Sequence, residues 1–206
     1  MKVLLINGSS HRNGCTYTAL EEISIALNKE GINTEIFQLG NPEIRDCSGC
    51  KACKKIGKCV YDDIVNAFVE KAKGFDGFVF GTPVYYAHPA GRLLSFMDRA
   101  FYSGSNAFAY KPAASVASAR RSGTTASFDV INKYFSINNM PIITSNYWNN
   151  IHGNTPEEAK QDAEGLQTMR NLAKNMAWIL KCIETGKKMG ITKPEAEEKI
   201  RTNFIR

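Results

Sequence analysis

The fold is decided by the stretch K-V-L-L-I-N-G-S-S-H-R-N-G-C-T at residues 2–16. Residues 2–7 predict a buried strand, because a short apolar run stops at a glycine-bearing loop. Apolar residues at helical spacing follow over residues 16–28, with Gly31 just past their end. A second strand is predicted directly afterwards, at residues 34–39. This strand–loop–helix–strand order predicts parallel pairing through a right-handed crossover.

The alternation of strands and helices continues along the rest of the chain. Apolar spacing predicts helices at residues 62–73, 89–102 and 125–135, and strands at residues 77–81, 112–117 and 140–145. The segment Thr155-Pro156-Glu157-Glu158 has the form of a capping box, and it predicts a helix that runs to about residue 184. A terminal helix is predicted near residues 194–203.

Five short apolar strands that alternate with helices predict a doubly wound α/β sheet, and no linker divides residues 1–206 into more than one domain. Ligands of such sheets bind beyond the carboxyl ends of the strands. The loops of interest are therefore the three strand-to-helix loops at residues 8–17, 82–89 and 118–125.

Composition excludes several classes of protein. The chain has 206 residues, of which 43% are hydrophobic and 22% charged, values typical of a globular protein with a sizeable core. No apolar run is long enough to cross a membrane, so we expect a cytoplasmic protein without a membrane partner. The net charge of +6 favours nucleic acid only weakly, because the basic residues are spread along the chain and no reading element is visible.

The loop at residues 8–17 has the composition of an anion site. Two glycines, small hydroxyl residues and a helix amino terminus supply backbone N–H donors to a phosphate. The loop contains neither G-x-G-x-x-G nor a Walker A sequence, which favours a monophosphate over a dinucleotide or a nucleoside triphosphate. The alternative is an ordinary polar turn that caps a helix.

Three segments together resemble the NADPH-dependent FMN reductase group of the flavodoxin-like superfamily. They are N-G-S-S-H-R-N-G-C-T at residues 7–16, G-T-P-V-Y-Y at residues 81–86, and G-R-L-L-S-F-M-D-R at residues 91–99. The resemblance implies FMN as cofactor and a flavodoxin-like parallel sheet of five strands in the order 2-1-3-4-5, with helices on both faces. Two residues depart from the group's pattern: His11 replaces a common arginine and Cys15 a common asparagine, so Arg12 is the candidate phosphate partner.

The resemblance also implies the FMN-binding residues. Those of the first loop are Ser9, His11, Arg12, Asn13, Cys15, Thr16 and Tyr17. Thr82, Pro83, Val84, Tyr85 and Tyr86 would line the isoalloxazine ring, and Ser118, Ala119, Arg120 and Gly123 would lie at its pyrimidine edge. Arg120 would stabilise a reduced, anionic flavin. The alternative for Tyr85 and Tyr86 is that they only end a strand against the core, and the alternative for Arg120 and Arg121 is a solvated surface pair. No catalytic acid, base or nucleophile is expected. Asp98 and Arg99 are expected to be structural.

Four of the six cysteines are crowded into one short segment. Cys47, Cys50, Cys53 and Cys59 have the spacing C-x2-C-x2-C-x5-C, within an insertion at residues 41–60 that follows the second strand. Three alternatives remain open: an iron–sulfur cluster, zinc, or free or disulfide-forming thiols. The pattern is similar to that of iron–sulfur flavoproteins, a branch of the same group, which implies a [4Fe-4S] cluster with these four cysteines as ligands.

The leading functional hypothesis is an FMN-dependent oxidoreductase. It would take electrons from NAD(P)H or a low-potential donor and pass them to a flavin, a quinone or a similar acceptor. The first alternative is a non-enzymatic electron carrier that exchanges electrons with a protein such as ferredoxin, and the second is a zinc-containing nucleic-acid module. The resemblance further implies a homodimer or higher homo-oligomer, and residues 187–206 are expected to form a carboxyl-terminal helical extension.

Overall fold

The computed structural model describes residues 1–198 and 200–202. Its centre is a parallel sheet in the order β2-β1-β3-β4-β5. The strands are β1 (Lys2–Asn7), β2 (Asn33–Gln38), β3 (Gly77–Pro83), β4 (Ala113–Ala119) and β5 (Asn150–His152). This order reverses direction between β1 and β3, and it confirms the predicted flavodoxin-like topology.

Helices cover both faces of the sheet. They are α1 (Cys15–Lys29), α2 (Cys53–Ile56), α3 (Ile64–Ala72), α4 (Gly91–Gly104), α5 (Thr124–Ile137), α6 (Pro156–Ala159) and α7 (Ala163–Lys188). Helices α1 and α7 pack on one face, and α3, α4 and α5 pack on the other. Within the described residues, no helix combines the length and apolar character needed to cross a membrane.

The two faces of the sheet have different cores. Val3 and Leu5 of β1 point towards α1 and α7, and Leu4 and Ile6 point towards α3 and α4. A group of closely packed phenylalanines fills the second core: Phe37, Phe68, Phe78, Phe80, Phe96, Phe101, Phe108 and Phe135. Because helices cover both faces, strands β1, β3 and β4 are buried over almost their whole length.

The predicted fifth strand was wrong in its position. Residues 140–145 contribute only an isolated bridge, in which Ile142 faces Ala113, and β5 itself is Asn150–His152. The backbone pairs with β4 at residues 141–143, leaves the sheet for residues 144–148, and returns at Asn149, whose carbonyl accepts from the N–H of Ala117. Pro141 has no N–H to donate, and the hydroxyl of Ser145 bonds to nearby loop atoms, so the local sequence does not sustain a ladder.

The prediction of one long helix from residue 156 was also wrong. Thr155 does accept a hydrogen bond from the N–H of Glu158, but α6 is a single turn. Asp162 provides a second cap by accepting from the N–H of Gly165, and α7 starts there as a separate helix. Of the predicted terminal helix near residues 194–203, residues 194–198 and 200–202 are not helical, and residues 199 and 203 lie outside the described part.

Candidate functional site

The loops that follow β1, β3, β4 and β5 enclose one cleft at the carboxyl edge of the sheet. Its volume is about 740 Å³, which is within the usual range of about 300–1,000 Å³ for small-molecule sites. Its lining residues are Ser9, His11, Arg12, Asn13, Gly14, Cys15, Thr16, Pro83, Val84, Tyr85, Ser118, Ala119, Arg120, Gly153, Asn154, Thr155 and Pro156. The cleft therefore lies where sheets of this order bind their ligands.

Buried amides hold the loop after β1 in place. The side chain of Asn7 donates to Oε1 of Gln38 at 2.6 Å and to the carbonyl of Arg12 at 3.2 Å. Its Oδ1 accepts from the N–H of Ser9 at 3.1 Å, and Gln38 donates to the carbonyl of Ser9 at 2.7 Å. The first wall of the cleft is thus shaped by the protein's own hydrogen bonds.

The amino terminus of α1 faces this cleft without a side-chain cap. Its N-cap residue is Gly14, and α1 begins at Cys15 on the cleft wall. The first N–H groups of a helix have no partner within the helix, and the helix dipole is positive at this end. A buried hydrogen bond of 2.7 Å between the hydroxyls of Thr16 and Ser118 fixes this helix end against β4. The arrangement favours an anion.

Cys15 contributes a neutral thiol to the cleft. Its Sγ donates to the carbonyl of Gly153 at 3.4 Å. Burial raises the pKa of the thiol, and the negative charges of Glu158 and Glu157 raise it further, against a smaller lowering by its own backbone N–H. Because a raised pKa disfavours the thiolate, Cys15 is suited to hydrogen bonding and not to nucleophilic chemistry.

Tyr85 closes one side of the cleft by contacting the first loop. Its hydroxyl lies 2.7 Å from the hydroxyl of Ser10 and 3.4 Å from that of Ser9, and it accepts from the N–H of Ser10 at 3.2 Å. Partial burial works to raise the pKa of the phenol, but these hydrogen bonds outweigh it, and the pKa of Tyr85 lies below its usual value. The ring thereby joins the loops that follow β1 and β3.

The loop after β4 approaches Val84 of the second loop closely because it contains a glycine with a positive φ. Gly123 has φ +88°, and a Cβ at this position would lie 2.9 Å from Cγ1 of Val84. Arg120 and Arg121 are exposed, and among the described residues neither makes an ion pair. Arg120 lines the cleft and Arg121 does not.

Twelve of the sixteen predicted FMN-site residues line the cleft. The other four are Tyr17, Thr82, Tyr86 and Gly123. Thr82 is fully buried and positions the second loop, since its hydroxyl accepts from the N–H of Ala90 and donates to the carbonyl of Pro83. Tyr86 is fully exposed.

One wall of the cleft was not predicted from the sequence. The missing lining residues are Gly14 and the loop after β5, which comprises Gly153, Asn154, Thr155 and Pro156. The capping box was a usable signal, because it marked a helix amino terminus after a strand. The predicted fifth strand starts ten residues before β5, so the capping box was not predicted to follow a strand end at the cleft.

The structure also brings the four clustered cysteines together. Cys47, Cys50, Cys53 and Cys59 line a small pocket with Tyr61, Arg99 and Tyr102. Cys59 is fixed from α3, because Asn66 accepts from its N–H and donates to its carbonyl, both at 3.0 Å. The other three thiols lie on or beside the irregular segment at residues 43–52.

Arg99 is the group that holds this segment against α4. Its side chain is 1% exposed, and its guanidinium donates to both carboxylate oxygens of Asp63, at 2.6 and 2.9 Å. Its Nε donates to Sγ of Cys59 at 3.2 Å. Burial works to raise the pKa of Asp63, but the hydrogen bonds from Arg99 and Val65 and the nearby positive charges outweigh it, so its pKa lies below the usual value.

The four cysteine thiols are the type and number of ligands that a [4Fe-4S] cluster requires. Among the described residues, no three cysteine, histidine or carboxylate side chains are close enough to hold one metal ion. A cubane binds each thiolate at a different iron, so it requires more widely spaced sulfurs than tetrahedral zinc does. The space between the thiols is about 20 Å³, so a cluster would require movement of the irregular segment that carries Cys47 and Cys50.

Comparison with known proteins places this chain among flavoproteins. An iron-sulfur flavoprotein of Methanocaldococcus jannaschii is 33% identical over 195 residues, which cover 89% of this chain and 100% of the relative. An iron-sulfur flavoprotein of Methanosarcina thermophila is 29% identical over 189 residues, which cover 89% of this chain and 97% of the relative.

A solved structure shares the fold. RosB, with bound 8-demethyl-8-formylriboflavin-5'-phosphate, superposes with a TM-score of 0.71 at 15% identity and covers 100% of this chain and 92% of its own. The family model described as NADPH-dependent FMN reductase matches residues 1–155. The chain therefore belongs to the NADPH-dependent FMN reductase family.

Proposed function

We propose that the protein is an FMN-dependent oxidoreductase whose cofactor binds in the cleft at the carboxyl edge of the sheet. The observation that carries the proposal is the uncapped amino terminus of α1, which faces a cleft of about 740 Å³. Family membership and the flavin phosphate bound by RosB support the same ligand class.

The phosphate of FMN would lie at the start of α1. Backbone N–H groups of this helix end and the neighbouring side chains of Ser9, His11, Arg12, Asn13 and Cys15 are its proposed partners. Arg12 is exposed and supplies a full positive charge. Thr16 holds the start of α1 in place and does not contact the phosphate through its hydroxyl, because that hydroxyl is already hydrogen-bonded to Ser118.

The flavin ring would lie between the second and third loops. Pro83, Val84 and Tyr85 offer an apolar and aromatic wall, and Ser118, Ala119 and Arg120 lie beside it at the end of the neighbouring strand. FMN supplies the chemistry, since it accepts electrons from a donor and returns them to an acceptor. The chain orients the ring, and the positive charge of Arg120 favours its reduced, anionic form.

The proposed electron donor is NAD(P)H or a low-potential carrier. The family's description supports NADPH, and the open cleft offers space beside the flavin for a planar donor or acceptor such as a flavin or a quinone. In this group a homodimer or higher homo-oligomer would bring further residues to the cleft, and we propose that assembly for this chain.

A second candidate function is favoured by the thiol pocket. Cys47, Cys50, Cys53 and Cys59 would hold a [4Fe-4S] cluster, and the protein would then relay electrons as a carrier between redox proteins, ferredoxin among them. The two relatives that are named iron-sulfur flavoproteins support this cluster.

Anaerobic purification followed by reconstitution tests both groups. We expect about one FMN per chain, with about four iron and four sulfide per chain at the cysteines. A protein that holds no FMN after reconstitution would contradict the flavin proposal, and a colourless FMN-free protein that binds oligonucleotides would favour a zinc module. Steady-state oxidation of NAD(P)H by the protein identifies an enzyme. Rapid reduction of the protein by ferredoxin, with no steady-state oxidation of NAD(P)H, identifies a carrier.

A matched pair of variants tests the position of the phosphate. Arg12→Ala should weaken FMN binding about tenfold, or about 1.4 kcal/mol, because it removes a charged phosphate partner. Arg121→Ala makes the same change of net charge outside the cleft lining and should leave the affinity close to that of the unaltered protein. Equal effects in the two variants would place the phosphate elsewhere.

A further inference from the structure

Arg99 is buried beside the cysteines, and all five of its N–H donors have a hydrogen-bond partner. Besides Asp63 and the thiol of Cys59, it contacts the carbonyls of Arg45 and Tyr61, each at 3.3 Å. All four partners lie in or beside the cysteine segment, and none is in the FMN cleft. The Nε–H of Arg99 is directed at the sulfur of Cys59, so the pair with Asp63 is linked directly to that thiol.

We propose that Arg99 and Asp63 are positioning residues that set the reduction potential of the cluster, with Arg99 raising it through Cys59 and Asp63 lowering it. The inference rests on the cluster suggested under the proposed function. It deepens that proposal, because it assigns the control of electron flow to two side chains that bind neither cofactor.

The direction for Arg99 follows from charge. A one-electron reduction by an external reductant adds one negative charge to the cluster and its thiolates. A positive group beside the sulfur stabilises that charge, and an N–H donor to a ligating sulfur does the same. Arg99 supplies both at 3.2 Å from Sγ of Cys59, and because it is buried, solvent screens its charge weakly.

The opposite direction for Asp63 follows from its pairing. Its carboxylate neutralises most of the guanidinium's charge through two hydrogen bonds. Asp63 is also the N-cap of α3, where it accepts from the N–H of Val65 at 3.0 Å. Asparagine caps helices equally well, so Asp63→Asn removes the charge and keeps the cap.

Cys59 is the cluster ligand through which Arg99 and Asp63 would act. Within the described residues, it is the only clustered cysteine whose sulfur accepts a side-chain hydrogen bond. Sγ of Cys53 lies 4.0 Å from the carbonyl of Tyr102, to which it can only donate. No side chain in the described part of the structure donates to the sulfur of Cys47, Cys50 or Cys53.

Potentiometric titration of the reconstituted protein tests the inference. We expect a more negative midpoint potential for the cluster in Arg99→Lys, because the Nε–H donor to Cys59 is lost. We expect a more positive one in Asp63→Asn, because the guanidinium is no longer neutralised. Loosening of the pocket alone would not shift the two variants in opposite directions.

Arg92→Lys is the matched control. Arg92 lies on the same helix and donates to the carbonyls of Gly40 and Pro42 at the start of the same insertion, but it touches no thiol. Its variant should leave the potential unchanged. If Arg99→Lys loses the cluster, the Asp63→Asn variant tests the inference alone: a more positive midpoint potential supports it, and an unchanged or more negative one overturns it.

Two negative results have different meanings. A cluster with normal iron and sulfide content whose potential is unchanged in both variants, or moves the same way in both, overturns the inference and leaves the proposed function intact. An unaltered protein that takes up no iron or sulfide overturns the cluster itself, and the inference with it.

Discussion

At the scale of single residues, Gly8 shows how little space separates the first loop from the sheet. Its N–H donates to the carbonyl of Gly81 at 2.9 Å, and a Cβ at Gly8 would lie 2.8 Å from that oxygen and 2.9 Å from Cδ2 of Leu93. Backbone and a buried helix residue can move little, so we expect Gly8→Ala to lower the free energy of unfolding by about 1–3 kcal/mol. Urea denaturation measures the change.

The matched control for Gly8 is Gly91, where a Cβ would meet no atom within 4 Å. Gly91→Ala should leave stability unchanged or raise it by up to about 1 kcal/mol, since it restricts the unfolded chain at the start of α4. Equal losses in the two variants would mean that the contact with Gly81 is not the cause.

Tyr85 makes a prediction about alkaline pH. Its lowered pKa means that the folded FMN-free protein releases the phenol proton at a lower pH than the unfolded chain does. The stabilisation by the phenolate therefore grows as pH rises through the lowered folded pKa and is complete above about 10, the unfolded value. Tyr85→Phe should lose this gain.

Alkaline titration of tyrosinate absorbance provides the measurement. Subtraction of the Tyr85→Phe curve from that of the unaltered protein should give one tyrosine with a midpoint below about 10. Tyr86→Phe, altered at a fully exposed neighbour, should retain this component. A difference curve with its midpoint above the ordinary tyrosine value would show that Ser9 and Ser10 do not stabilise the phenolate.

At the scale of secondary-structure elements, one buried hydrogen bond joins α1 to β4. The hydroxyls of Thr16 and Ser118 are 2.7 Å apart, and both residues are buried. Thr16→Val should cost about 1–3 kcal/mol, because it leaves the Ser118 hydroxyl without its partner. Ser118→Ala should cost a similar amount for the same reason.

The double variant Thr16→Val/Ser118→Ala separates this bond from general packing. It leaves no hydroxyl unpaired, so its loss of stability should be smaller than the sum of the two single losses by about 1 kcal/mol or more. Chemical denaturation of all four proteins without FMN completes the cycle. Strictly additive losses would indicate that the two hydroxyls do not stabilise each other.

The elements also show what could be predicted from the sequence. Strands β1, β3 and β4 were predictable because both faces of the sheet bury them. Strand β2 was predictable because it directly follows the apolar spacing of α1 and Gly31 just past its end. Strand β5 was not, since N-I-H at residues 150–152 has no strand pattern and pairs only because β4 offers a free edge. The capping box correctly marked a helix start, but this helix ends at Ala159, and a second N-cap at Asp162 begins α7.

The same limit applies to the thiol pocket. The spacing of the cysteines predicted a set of four ligands, and the position of Arg99 inside a helix predicted a structural role. Its partners were not, because Cys59 and Asp63 are 40 and 36 positions away in the chain. Pairing over such separations is decided by tertiary packing and leaves no local pattern in the sequence.

At the scale of the whole molecule, α4 connects the two candidate sites. Its amino end follows the second cleft loop, where the N–H of Ala90 donates to Thr82, and its middle carries Arg99 under the thiol pocket. Nine residues of helix separate these positions, or about 14 Å at 1.5 Å per residue. The two sites share no lining residue.

Because the sites share no residue, the two cofactors should be separable by mutation. A variant with Cys47, Cys50, Cys53 and Cys59 all changed to serine should lose iron and sulfide, since four hydroxyls do not replace four thiolates. Its FMN content should remain about one per chain, because the cleft is shaped by Asn7, Gln38 and the strand ends. Cys182→Ser, at an exposed cysteine outside both sites, should retain both cofactors. Loss of FMN from the fourfold variant, with the fold intact by circular dichroism, would show that the cysteine insertion supports the flavin cleft.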